Sequence, residues 1–267
     1  MASPDGARRY EVDAVRYGTL RSCKADLFHR HGSYGEPDVE VEMAYYFWLL
    51  RDGGETIVVD CGFDFDVGAH RKHTCLCPPV EALRSLNVEP ESVSTVVVTH
   101  LHYDHIGNLS AFPAATLIMP RRELDFWTGP IASRFQFASH VESREIEFVA
   151  RAVADGRVRL TAGTEEILDG VTAIAVGGHS AGQQVTVVRG RDGNVVLASD
   201  AVHFYEELEL ERPFAVVHDL EQMYVAYEVL KGLALEGGEV VPGHDPDVAR
   251  RYPQVGTAGA ASAVRIG

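Results

Sequence analysis

Residues 95–105 read Thr95-Val96-Val97-Val98-Thr99-His100-Leu101-His102-Tyr103-Asp104-His105, and this stretch decides both the fold and the chemistry. The apolar run before His100 has strand length and suits a strand buried on both faces, with the chain turning polar at its C-terminal end. Three histidines and one aspartate then fall within residues 100–105. Imidazole and carboxylate are the side chains that hold borderline cations such as zinc. Four of them so close together cannot face one point from a regular strand or helix, so a tight loop must present them. His100 and His102 are two apart and project to one side if the loop begins extended. After a bend, Asp104 and His105 can serve a second, adjacent ion.

Two ions need more donors, and the chain offers them in the same context, at the ends of apolar strands. VTAIAV (171–176) is followed by Gly177-Gly178-His179-Ser180-Ala181-Gly182, where glycines let the backbone pass close to a metal centre. NVVLAS (194–199) leads to Asp200, whose two oxygens can bridge two cations, and EVV (239–241) leads to Pro242-Gly243-His244. Taken singly, each is equally well a capped turn or a helix N-cap. In shared strand-end positions they support one another.

Working outward, the runs 43–51 and 55–60 flank Asp52-Gly53-Gly54 and predict a hairpin. Pro78-Pro79 opens an amphipathic helix with Val80, Leu83 and Leu86 on one face. A strand is expected at 116–120, a helix at 121–127, and further strands at 157–161, 171–176, 184–189 and 194–199. Residues 128–143 have no clear period and read as an insertion that covers a pocket. Asp219 starts a helix with Met223, Ala226, Tyr227 and Leu230 at i, i+3, i+4, i+7 spacing, ended by Gly237-Gly238. Periodicity alone therefore gives an α/β protein. With no internal repeat and no linker, one domain over residues 1–267 is the simplest division.

Composition narrows the function. The chain has 267 residues, 24 Lys+Arg against 39 Asp+Glu and a formal net charge of -15, so its surface repels polyphosphate and a nucleic-acid partner is not expected. No apolar run is long enough to cross a bilayer, and Met1–Leu20 lacks a secretory apolar core, which gives the expectation of a cytoplasmic protein without a membrane partner. Four cysteines are too few for a disulfide scaffold. Cys75 and Cys77 form a C-x-C pair with His70 and His73 nearby, which reads more simply as a metal-free loop than as a soft-metal site.

The ordered motifs VVDCG with Asp60, HxHxDH at 100–105, GGHSAG with His179, ASDA with Asp200 and PGH with His244 resemble the metallo-β-lactamase superfamily, over about residues 40–245. The resemblance implies a four-layer αββα sandwich of two mixed β-sheets. It implies two divalent metal ions, with zinc expected and iron or manganese as alternatives. His100, His102 and His179 look like ligands of one ion, and Asp104, His105 and His244 like ligands of the other. Asp200 looks like the bridge, and Asp60 like a carboxylate that orients the site from behind. Two such ions outweigh Asp104, Asp200 and a bridging hydroxide in charge, and water held between them loses its proton near neutral pH. Hydrolysis is the implied reaction.

Within the superfamily the pattern is most similar to the N-acyl-homoserine lactonase family, which implies opening of a lactone by attack of the bridging hydroxide on its carbonyl. The partner is then a small molecule; a homodimer is compatible with the sequence. Alternatives are another cyclic ester or carbamate, including aromatic-fused rings, or a thioester as in glyoxalase II. The helical, basic C-terminal region of the latter is not seen after His244. A metal-binding protein without turnover would be expected to lack a ligand, and none is missing. One departure stands out. The family's usual tyrosine, three residues after the bridging aspartate, is His203 here. His203 or Tyr205 is a candidate to take its place beside Asp104 in catalysis, the equal alternative being that His203 only covers the metal site from outside, and Phe126, Trp127, Phe135, Phe137, Phe204 and Tyr205 are candidates for an apolar pocket wall.

Overall fold

The computed structural model describes residues 8–259 and 261–267. Its strands, in chain order, are β1 (Glu11–Cys23), β2 (Glu40–Arg51), β3 (Thr56–Val59), β4 (Thr74–Cys75), β5 (Thr95–Val97), β6 (Thr116–Pro120), β7 (Val158–Thr161), β8 (Thr164–Leu168), β9 (Val171–Ala175), β10 (Gln184–Arg189), β11 (Asn194–Ser199), β12 (Glu239–Pro242), β13 (Gln254–Ala258) and β14 (Ala261–Arg265). One sheet runs β13-β14-β1-β2-β3-β5-β6-β7, with β4 also paired to β1, and the other runs β12-β11-β10-β9-β8. Both are mixed. β3, β5, β6 and β7 are parallel neighbours, whereas β2 is antiparallel to β1 and β3. In the second sheet β12 is parallel to β11 and the other pairs are antiparallel.

Continuous apolar runs such as 43–50 make sense only when both faces of a strand are covered, and side chains in a strand alternate between those faces. In β2, Ala44, Tyr46, Trp48 and Leu50 join a core with Ile57, Val59, Val97, Val171, Val188 and Leu197, which lies between the two sheets. Met43, Tyr45, Phe47 and Leu49 face the other way and pack with Ala82, Leu83, Val149 and Ala152 from the helices Pro79–Ser85 and Ser143–Ala154. β11 divides in the same manner: Val195 and Leu197 point to the inter-sheet core, Val196 and Ala198 to Met223, Ala226, Tyr227 and Leu230 of the helix Leu220–Leu235. The result is helix, sheet, sheet, helix, the expected four-layer sandwich. Burying each large side chain of these layers contributes about 1.5–3 kcal/mol relative to leaving it exposed.

Turn chemistry agrees with the sequence where the signal is local. Asp52 Oδ1 accepts from the N–H groups of Gly54 and Glu55 at 2.9 Å and closes the β2–β3 hairpin. Asp219 caps its helix by accepting from Gln222 N at 3.0 Å. The β6 strand and the helix Arg121–Trp127 fall where periodicity predicts them. Among the described residues no helix is long and apolar enough to cross a membrane.

The helix Ser143–Ala154 was not expected, because its inward face breaks the apolar pattern. Glu145, Val149 and Ala152 are its buried residues. Glu145 is 5% exposed, and neither carboxyl oxygen has a hydrogen-bond partner among the described residues. Burial pushes its carboxyl up from 4.5 to about 8. The folded protein thus holds this proton more tightly than the unfolded chain, so stability is full below pH 4.5 and declines as pH rises towards 8. Glu145→Gln is expected to flatten that decline, gaining up to about 5 kcal/mol over the parent at pH 9 and nothing at pH 4. Urea unfolding at both pH values measures it, and parallel pH profiles would remove the claim.

Candidate metal centre

The loop after β5 crosses to the parallel strand β6, so the motif leaves the sheet at a strand's C-terminal end, where open α/β sheets place their ligands. Asp60, at the end of β3, anchors it. Asp60 has a φ of 57°, an uncommon left-handed conformation for a non-glycine residue. Its Oδ1 accepts from Thr99 N at 2.8 Å, and its Oδ2 accepts from Thr99 Oγ1 at 2.8 Å and faces His105 Nδ1 at 2.7 Å. A second buried carboxylate, Glu123, accepts from the N–H groups of Leu101 and Gly182 and from Trp127 Nε1. It ties the HxHxDH loop to the loop that carries His179. Sequence reasoning found Asp60 and missed Glu123, which sits inside a helix with no motif around it.

The seven expected ligands converge. Donor atoms of His100, His102 and His179 lie within 4.8 Å of one another, as do those of Asp104, His105, Asp200 and His244. Asp200 touches both groups: Oδ1 lies 3.0 Å from His244 Nε2 and 3.1 Å from His105 Nε2, and Oδ2 lies 3.3 Å from His179 Nε2 and 3.8 Å from His100 Nε2. Gly243 permits this approach, since a Cβ there would stand 2.7 Å from the Ser199 backbone and 3.0 Å from Asp200 Oδ1. Four imidazoles are held from behind through Nδ1: His100 by Thr99 Oγ1 at 3.1 Å, His105 by Asp60, His179 by Val216 O at 3.1 Å and His244 by Ala44 O at 2.9 Å. Such contacts fix the ring and direct the Nε2 lone pair inward. His102 instead presents Nδ1, 2.9 Å from His179 Nε2.

These residues fit metal ions. His100 Nε2 and His105 Nε2 are buried with no hydrogen-bond partner among the described residues, a costly arrangement that a cation relieves. Burial, reinforced by neighbouring imidazoles, holds His100, His102 and His179 well below the usual histidine value, so their nitrogens stay neutral and able to donate to a metal. Burial acts against charge on His105 and Asp200 as well. There the carboxylates Asp200, Asp104 and Asp60 outweigh it and raise His105, and His244, His105 and His203 outweigh it and lower Asp200.

Residues 42–244 match the metallo-beta-lactamase superfamily. The chain belongs to that superfamily. Among curated relatives it is 28% identical over 174 residues to an N-acyl homoserine lactonase of Bacillus sp, a match covering 64% of this chain. The chain thus spans 63% of that relative's length. It is 26% identical over 254 residues to the N-acyl homoserine lactonase AttM of Rhizobium radiobacter, covering 87% of this chain and 92% of that one. A crystal structure of a quorum-quenching N-acyl homoserine lactone lactonase superposes with a TM-score of 0.76 at 22% identity, covering 92% of this chain and 96% of the other.

At the position where the resemblance to the N-acyl-homoserine lactonase family leads one to expect a tyrosine, His203 enters the cluster. Its Nε2 lies 3.1 Å from Asp200 Oδ2 and its Nδ1 3.3 Å from Glu207 Oε1, both off the line of a hydrogen bond. With His179 and Asp200 it forms a third group of donors within 4.8 Å. Its ring stacks on Phe214 at 3.6 Å. Burial opposes its protonation, yet Asp200 and Glu207 prevail and raise it to about 9.

Tyr205 is a correction. The turn at 200–204 sends His203 inward and Tyr205 to the far side, where the Arg251 guanidinium lies 3.6 Å over its ring and Ala249 and Tyr252 share its cluster. It therefore offers no donor to the cluster. The apolar wall is also partly corrected. Trp127 and Phe137 line the cleft and Phe126 packs behind them, but Phe135 is 81% exposed and Phe204 is buried in the core. Phe214, Met43 and Leu27 line the cleft instead. Cys75 and Cys77 join no donor group among the described residues, and burial pushes the Cys75 thiol up to about 11. His73, two residues earlier, does reach the cleft.

Proposed function

We propose that this chain is a metal-dependent hydrolase that opens a lactone ring, using two divalent cations. His100, His102 and His179 would hold one, Asp104, His105 and His244 the other, and Asp200 both. The observation that carries the reading is the placement of Asp200, one oxygen against each histidine group. When bound, such a pair supplies a nucleophile from water near neutral pH and polarises the ester carbonyl. Zinc is the expected metal; iron and manganese accept the same donors.

The chain's own residues set what is hydrolysed. Above the cluster a cavity of about 150 Å³ is lined by Met43, Tyr45, Tyr103, Asp104, Phe214 and His244. It adjoins a groove of about 500 Å³ lined by Trp127, Phe137, Ala215, Val216 and Val217, and the two share His102, His140, His179 and Val216. A small polar ring over the cluster with an acyl tail along the groove, whose lining also includes Gln136, Ser139 and His218, fits this division. The names of the similar proteins support the same reading. A pH-stat panel of short and long acyl lactones, aromatic lactones, cyclic carbamates and glutathione thioesters tests it. Acyl lactones are expected to be turned over fastest. Stoichiometric metal with no lactone turnover would sink the proposal.

A further inference from the structure

Loss of the tyrosine at position 203 raises the question of which group replaces its hydroxyl. His203 lines the cavity, but its ring, 1% exposed, is stacked on Phe214 with Nε2 directed at Asp200 and Nδ1 at Glu207, which turns both nitrogens towards protein carboxylates. Hydroxyls that line the cavity are those of Tyr45 and Tyr103, which share it with Asp104 and His244. Tyr103 Oη is 2.7 Å from His73 Nε2, and Tyr45 Oη is 3.5 Å from the same nitrogen. The Arg71 guanidinium lies 3.9 Å over the Tyr103 ring. Arg71 is itself tied to Glu142 Oε1 at 2.7 Å and to Ser139 O at 2.8 Å. Tyr103 is thus clamped on its face and at its hydroxyl.

The tautomer of His73 decides what that hydroxyl can do. His73 Nδ1 is buried without a partner among the described residues. Protonating Nδ1 would bury an unpaired N–H, the rarer kind of orphan in proteins. Protonating Nε2 leaves an unpaired acceptor at Nδ1 and makes His73 donate to Tyr103 Oη, as assigned from the hydrogen-bond network. The phenolic hydrogen is then not spent on His73 and is available to an acceptor in the cavity that Tyr103 lines together with Tyr45, Asp104 and His244.

We propose that Tyr103, oriented by His73, donates a hydrogen bond to the ring oxygen of the cyclic ester as that oxygen departs. The assignment rests on the lactone reading above. It makes Tyr103 a substrate-contacting group and His73 a positioning residue. The hydrogen bond forms to an oxygen that gains negative charge, so it strengthens during the reaction and acts on kcat more than on KM.

The test compares Tyr103→Phe with the parent on a lactone and on the thiolactone of the same acyl chain, whose departing sulfur is a poor hydrogen-bond acceptor. Metal content is expected to stay at the parent value, kcat on the lactone to fall roughly ten- to thirtyfold with little change in KM, and kcat on the thiolactone to fall by less than about threefold. His73→Leu, outside the loop, is expected to reproduce part of the lactone-selective loss, and it carries the test if Tyr103→Phe loses metal. Equal losses on both substrates, or unchanged lactone turnover, would overturn the inference. A metal-loaded parent protein that opens neither substrate overturns the lactone reading itself, and this inference with it.

Discussion

Asp200→Asn is expected to lower lactone turnover by at least about a thousandfold and to reduce bound metal from two ions per chain towards one. The substitution keeps shape and volume, so the loss reports on charge and donor type alone. Asp200 faces five imidazoles, with Oδ1 against His105 and His244 and Oδ2 against His179, His203 and His100. An asparagine turns one of these oxygens into an N–H₂ group aimed at nitrogens that should carry lone pairs. Asp104 is then the one anionic donor left among the seven proposed ligands, and the two proposed divalent ions would lose the carboxylate that screens them from each other. Metal analysis of the purified variant, together with turnover at saturating added metal, separates loss of the ion from loss of chemistry. A variant that retains two ions and the parent rate would remove Asp200 from the centre.

The parts of this centre that were legible in sequence are those fixed by local constraints. A run such as Thr95–Val98 must be a buried strand, and donors placed just beyond strands 95–98, 171–176, 194–199 and 239–241 must gather at one edge once those strands share a sandwich. Asp60 was found for the same reason. The strands that periodicity missed, β1, β8 and the β13–β14 hairpin, have mixed burial, and their positions are set by partners distant in sequence: Asp13 pairs with Arg265, and Gly18 with both Tyr45 and Cys75. Side-chain direction was the other gap. Tyr205 and His203 are two apart, yet a turn between them reverses the wall each faces, and no pattern of residue types encodes that turn. His73 and His140 reach the cleft from segments with no period, so only their membership of an unusually large set of histidines could have flagged them.

Chelation is expected to abolish activity and to lower the melting temperature by on the order of 20 °C at pH 8. Ions that bind only the folded chain stabilise it by mass action, about 4 kcal/mol for each site held at a thousand times its dissociation constant. Two such sites give about 8 kcal/mol, and in chains of this size each kcal/mol moves the midpoint by about 2–4 °C. The buried cluster explains why the stabilisation should be realised rather than dissipated. His100 and His105 hold inward nitrogens with no other partner, and the rings are already fixed from behind by Thr99, Asp60, Val216 and Ala44, so little further ordering is needed on binding. The effect has a sign in pH. Imidazoles must lose their protons to ligate, so metal binding competes with protons and the gap between loaded and chelated protein should narrow as pH falls from 8 towards 5. Thermal melts with and without chelator at both pH values measure this. Equal melting temperatures at pH 8, with activity intact after chelation, would mean that the seven convergent donors hold no ion that matters to either folding or turnover.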